Sequence, residues 1–149
     1  MDIDYQTFEA GDFTCLPVLS NGCAASIGFI ADHIPRKDSV VVLASGIDAE
    51  GQREVAGHIL ATANEQGIYI HTVNVMENYR RKGIATCMLA KVENLIDEGT
   101  ANFPISLFTD SDNKAAVLCY IAAGFKITAR IPNCRESGEV RLAMQKAHY

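Results

Sequence analysis

The apolar positions of this chain follow two rhythms, a strand period early and a helical period later. Val40-Val41-Val42-Leu43-Ala44 is a β-branched run bounded by turn residues, which predicts a strand. Ser45–Gln52 is a polar loop carrying Gly46 and Gly51. Arg53–Ala63 reads as the return strand of a hairpin, with a bulge expected at Gly57. Asn64-Glu65-Gln66-Gly67 makes the next turn. Ile68–Val75 is a further strand, in which Ile68, Ile70 and Thr72 alternate with Tyr69, His71 and Val73. The period then lengthens. Ile84, Met88, Val92, Leu95 and Ile96 fall on one helical stripe, with Ala85 and Leu89 beside it and Gly99 as the C-terminal cap.

Ile105–Thr109 follows Pro104 as a short strand, and Asp110-Ser111-Asp112-Asn113 supplies N-cap residues for a helix that runs to Ala123 and stops at Gly124. Phe125–Ile131 and Glu139–Gln145 close the chain as strands. At the other end, Ile3–Phe8 reads as a first strand. Phe13–His33, interrupted by Pro17 and Asn21-Gly22, reads as two short helices closed by Pro35. The strand–helix–strand–helix–strand passage from Ile68 to Ile131 predicts a mixed α/β or α+β sheet with at least one parallel pair. No repeat, low-complexity tract or linker divides the 149 residues, so residues 1–149 are read as one domain.

Composition narrows the class. Apolar residues are 48% and charged residues 21%, the balance of a folded globular chain rather than a disordered one. No apolar run approaches the roughly 20 residues of a membrane span, and the acidic start Met1-Asp2-Ile3-Asp4 is unlike a signal peptide. The five cysteines, Cys15, Cys23, Cys87, Cys119 and Cys134, form no C-x-x-C pair, which favours a reducing cytoplasm over a disulfide framework. His33, His58, His71 and His148 lack metal-ligand spacing, so no metal is expected. The net charge of −5 is uneven: residues 1–75 hold three bases against ten acids, and residues 76–149 hold ten bases against eight acids. That distribution argues against a generic nucleic-acid binder.

The basic run Arg80-Arg81-Lys82-Gly83-Ile84-Ala85-Thr86 stands between a strand and a long helix. A helix start leaves backbone N–H groups without partners and favours negative charge. Gly83 and the small Ala85 would let an anion reach that backbone, as a pyrophosphate requires. Neither a G-x-x-x-x-G-K-[ST] nor a G-x-G-x-x-G sequence is present. Taken alone, the run fits a phosphate cradle and a solvated basic helix start equally.

A second segment decides between them. Asn113 to Phe125 has the form N-x-x-A-x-x-C-Y-x-x-x-G-F. Together with Val73-Asn74-Val75 and R-x-x-G-x-A, about thirty residues upstream, it resembles the GNAT superfamily of N-acetyltransferases over residues 68–131. Two departures are Cys119, where leucine is usual, and Met76-Glu77, where a proline-containing turn is frequent. The resemblance implies a GNAT-like central mixed sheet of six to seven strands with flanking helices, in which the fourth strand splays from the fifth through a bulge. It implies transfer of acetyl from acetyl-CoA to a primary amine by direct attack, through a tetrahedral intermediate.

Carried onto this chain, backbone amides of Arg81, Lys82, Gly83, Ile84, Ala85 and Thr86 would hold the pyrophosphate, with Arg80 at the motif's first position. The main chain of Val73 and Val75 would pair with the pantetheine arm, and Asn113 would bond the cofactor near it. The Val75 amide would stabilise the oxyanion, and Tyr120 would protonate the departing thiolate.

For the base, the period of the strand puts His71 on the face of Val73 and Val75, within reach of the amine proton. Glu54, His58, Glu65 and a water chain are alternatives. A non-catalytic acyl-CoA sensor on the same fold is the first rival reading, and an enzyme acting on proteins or aminoacyl-tRNA is the second. The acidic first half suggests a cationic acceptor, a small molecule or a peptide amine, drawn to Asp12, Asp32, Asp38, Asp48, Glu50 or Glu54. Small members of the superfamily often dimerise, and apolar strands near the C-terminus would suit a homodimer here.

Overall fold

The computed structural model describes residues 3–9, 39–64, 67–94, 104–132 and 140–146. Seven strands form one sheet: β1 (Asp4–Glu9), β2 (Ser39–Ile47), β3 (Arg53–Asn64), β4 (Gly67–Val75), β5 (Ile105–Asp110), β6 (Lys126–Ile131) and β7 (Arg141–Lys146). Their spatial order is β1-β2-β3-β4-β5-β7-β6. Only β4 and β5 run parallel, as the intervening helix requires. The helices are α1 (Ile84–Glu93) and α2 (Lys114–Ala122). The hairpin, the parallel pair and the two helices thus stand where the hydrophobic pattern put them. The two helices expected in Phe13–His33, and Leu95, Ile96 and Gly99 beyond α1, lie outside the described residues. No described helix is long and apolar enough to cross a membrane.

The core fills the space between the sheet and the two helices. Val42, Ala44, Ile59, Ile70 and Leu107 from the strands meet Ile84, Met88 and Val92 of α1 and Tyr120 of α2. Lys146 of β7 pairs with Glu93 at the end of α1. β2 is buried from Ser39 through Gly46, so its continuous Val-rich run reflects burial of both faces rather than one.

Two irregularities shape the middle of the sheet. Between β2 and β3 the register steps from Ala44↔Gly57 to Ser45↔Val55, so the extra residue is Ala56, next to the glycine expected to mark a bulge. Between β3 and β4 it steps from Leu60↔Thr72 to Ala61↔Ile70, which inserts His71. This second bulge changes the phase of β4. Ile68 and Ile70 face the core before it, and the odd-numbered Val73 and Val75 pack against the core after it. The simple alternation expected for Ile68–Val75 therefore breaks at His71. β4 also parts from β5. Their pairing ends at Ile70↔Leu107, while β4 continues to Val75 and β5 to Asp110.

Candidate functional site

Past its last pairing with β5, the end of β4 borders a cleft of about 800 Å³. Val73, Asn74 and Val75 form one wall, Tyr79 to Arg81 and Gly83 to Thr86 another, and Asn113 with Ala115, Ala116 and Leu118 to Tyr120 of α2 a third.

The loop from β4 to α1 is built from local chemistry. A single 3-10 turn, Glu77–Tyr79, is followed by two residues in the left-handed region, Arg81 (φ 64°) and Gly83 (φ 76°). Gly83 is the N-cap of α1 and offers no side chain to cap it. The first helical bond runs from Cys87 N–H to Gly83 O at 3.0 Å, so the N–H groups of Ile84, Ala85 and Thr86 precede the helical ladder. The first turn of α1 holds no acid, and a Cβ on Gly83 would meet nothing within 4 Å. An open, acid-free helix start with Arg80 and Arg81 in the same wall suits an anion of pyrophosphate size. Arg80 also braces the loop, its Nε donating to Val75 O at 3.1 Å.

On the third wall, Asn113 caps α2, its side-chain oxygen accepting from Ala116 N–H at 3.3 Å. Tyr120 is 8% exposed and packs edge-on against Phe125, with ring centroids 5.9 Å apart. Burial, with a smaller contribution from Cys119, pushes its phenol up to about 12. Burial also pushes the Cys119 thiol up, partly offset by the Thr86 hydroxyl.

Most of the residues singled out in the sequence meet here. Val73, Val75, Arg80, Arg81, Gly83, Ile84, Ala85, Thr86, Asn113 and Tyr120 all line the cleft. Lys82 does not; its ammonium stands 5.9 Å from the ring centroid of Tyr79. His71 does not either. The bulge turns it to the other face of the sheet, where its Nε2 hydrogen-bonds Thr62 Oγ1 at 2.7 Å and its ring meets Tyr69 edge-on at 4.7 Å. The expectation that it shares a face with Val73 and Val75 fails because one inserted residue reverses a period of two.

None of the other described groups considered for proton transfer or for drawing the acceptor lines the cleft. Glu54 accepts a hydrogen bond from Tyr79. His58 is half-buried in the sheet, and burial pulls its imidazole down. Asp48 Oδ1 accepts from Glu50 N–H (3.0 Å) and Gln52 N–H (2.8 Å), holding the hairpin loop. Glu65, Asp12, Asp32 and Asp38 lie outside the described residues. The sequence reading missed Tyr79, Asn74, Leu118 and Cys119 as cleft residues. The last two lie on α2 beside Tyr120.

Residues 16–125 match the model of the acetyltransferase (GNAT) family. Solved structures align over nearly all of the chain. Ard1 from Thermoplasma volcanium is 20% identical, with a TM-score of 0.69 over 100% of this chain and 99% of that one. NAA60 from Arabidopsis thaliana, in complex with acetyl-CoA, is 16% identical, with a TM-score of 0.72 over 98% of each chain. The spermidine/spermine N-acetyltransferase SpeG from Vibrio cholerae is 14% identical, with a TM-score of 0.65 over 98% of this chain and 95% of that one. At such identities the likeness is one of fold. None of the curated proteins searched matches the chain.

Proposed function

The chain belongs to the GNAT acetyltransferase family and is an acetyl-CoA-dependent acyltransferase, and from that premise we propose that it acetylates a primary amine by direct attack. The observation that carries this reading is the convergence of a strand end that has parted from β5, an open helix start and a buried tyrosine on one cleft. Bound there, acetyl-CoA supplies the activated acetyl group.

The chain's own residues divide the remaining work. The N–H groups from Arg81 to Thr86 hold the pyrophosphate, with charge from Arg80, Arg81 and Lys82. Val73 and Val75 offer main-chain groups to the pantetheine arm, and the second lone pair of the Val75 carbonyl remains available beside its bond to Arg80. Asn113 steadies the arm. The Val75 N–H donates to the oxygen charge that develops during attack. Tyr120 keeps its proton at neutral pH, since its phenol lies near 12, and delivers it from Oη to the departing sulfur. His71 takes the amine proton, directly or through water, from an acceptor that approaches on the face opposite the helices. Its exposure and its place where β4 parts from β5 support that role.

The acceptor we favour is a cationic amine, in line with the acidic first half of the chain and with the polyamine substrates that SpeG's name gives. Asp48 holds the hairpin loop and Glu54 is bonded to Tyr79, which leaves Asp12, Asp32, Asp38 and Glu50 as the attracting charges. The free thiols Cys87 and Cys119 suit a reducing cytoplasm.

A screen of polyamines, amino acids, aminoglycosides and peptides with acetyl-CoA, read by thiol release, tests the activity. Tight CoA binding with no turnover on any amine would favour an acyl-CoA sensor instead. Tyr120→Phe should lower kcat by about 10²-fold, the scale of a lost general acid, with CoA affinity little changed. Equal loss of both, or no loss, would sink the acid role.

A further inference from the structure

Tyr79 has no part in the chemistry proposed above, yet it is the one buried residue of the 3-10 turn that leads into the phosphate-binding loop. Within the turn, Tyr79 N–H bonds Met76 O (2.9 Å) and Arg80 N–H bonds Glu77 O (3.3 Å). Neither Met76 nor Gly83 supplies a side-chain cap. Arg81 occupies the left-handed region, which a residue with a Cβ disfavours. The backbone is tied at its start by Met76 N–H to Ala56 O (2.8 Å) and by Arg80 Nε to Val75 O (3.1 Å).

Beyond these, Tyr79 reaches out of the loop to the hairpin of β2 and β3. Its hydroxyl donates to Glu54 Oε1 at 2.7 Å. Its ring lies against Gly46, where an added Cβ would stand 2.5 Å from the hydroxyl oxygen and 2.6 Å from Cε1. The glycine at that point of β2 is what lets the ring in. The same tyrosine forms part of the cleft wall and stands beneath the Lys82 ammonium.

Backbone donors bind an anion well only when they are held in place beforehand. We propose that Tyr79 is a positioning residue for acetyl-CoA, and that its bond to Glu54 and its seat on Gly46 hold the β4–α1 loop in the shape that receives the pyrophosphate. The inference rests on the cleft being the CoA site. It gives Glu54 a role on the cofactor side rather than as a base or as an attractor of the acceptor.

Tyr79→Phe and Glu54→Ala should each weaken CoA binding by about 3- to 10-fold in calorimetry, the scale of the net contribution of one ordinary hydrogen bond. The double variant should lose little more than either single one, because both remove the same bond. Glu54→Gln, whose amide oxygen still accepts, should recover most of the affinity. In steady-state assays the KM for acetyl-CoA should rise while kcat is retained. Thermal melts verify that each variant is folded. CoA affinity within twofold of the unmodified protein in both Tyr79→Phe and Glu54→Ala would overturn the inference. So would a fall in kcat for Glu54→Gln at unchanged CoA affinity, which would put Glu54 in proton transfer. Failure of the unmodified protein to bind CoA is a separate result, and it would overturn the transferase reading itself.

Discussion

His58 and His71 show how differently one residue type is used on adjacent strands. His71 is exposed and bonded to Thr62, at the bulge where β4 leaves β5. His58 is half-buried, its Nδ1 has no hydrogen-bond partner among the described residues, and desolvation lowers its pKa below the ordinary 6.5. The folded state therefore favours the neutral ring. Its contribution to stability is complete above about pH 6.5 and is lost as pH falls through the lowered folded value. His58→Leu should flatten the decline of Tm between pH 7 and pH 5. An unchanged slope would show that other groups govern it. Glu54 illustrates the same lesson for carboxylates. Its residue type admits catalysis, attraction of a cationic acceptor or structural bonding, and its 2.7 Å partner Tyr79 selects the last.

The β4–α1 connection carries most of the roles proposed for the cofactor side. Its sequence encodes its conformation locally: Gly83 at φ 76° opens α1 without a capping side chain, and Ile84, Met88 and Val92 drive the helix onto the core. Because the space around Gly83 is open, substitution there acts through the backbone rather than through a clash. Gly83→Ala should cost about 1 kcal/mol in denaturant unfolding, the scale of forcing a Cβ into the left-handed region. CoA affinity should fall with it, because the same distortion moves the helix-start donors. Intact CoA affinity in a destabilised Gly83→Ala would mean that the helix start does not hold the phosphates. At β3 the constraint is of another kind. A Cβ on Gly57 would sit 2.7 Å from the backbone oxygen of Asn74, so that glycine maintains the close approach of β3 to the cleft strand.

At the level of the whole molecule, the cleft joins elements distant in sequence: the end of β4, the start of α1 and the inner side of α2. A ligand bridging them stabilises the folded state by mass action. CoA at 100 times its Kd should add about 2.7 kcal/mol, or roughly 5–10 °C in Tm for a chain of this size. The absence of any shift at saturating CoA would contradict the assignment of the cleft.

The asymmetry of charge now has a physical setting on one side. The basic run of the second half lies in and beside the cleft, whereas of the acids of the first half Asp48 holds the hairpin loop and Glu54 bonds Tyr79 of the β4–α1 loop.

Local patterns were enough for the β2–β3 hairpin, the β4–α1–β5 unit, the helix start at Gly83 and the motif around Asn113 and Tyr120. Strand and helix periods, turn residues and caps act over a few neighbouring residues, so they are written in the sequence. The side on which His71 stands is not written there. It follows from a one-residue step in the pairing of β4 with β3, which reverses every later side chain. The partnership of Tyr79 with Glu54 and Gly46 is likewise absent from local pattern, because it joins residues 25 and 33 positions apart that meet only when the loop docks on the hairpin. The elements and the family's R-x-x-G-x-A motif are thus legible in the order of residues. Which side chains share the cleft is not, because that depends on register and on long-range packing.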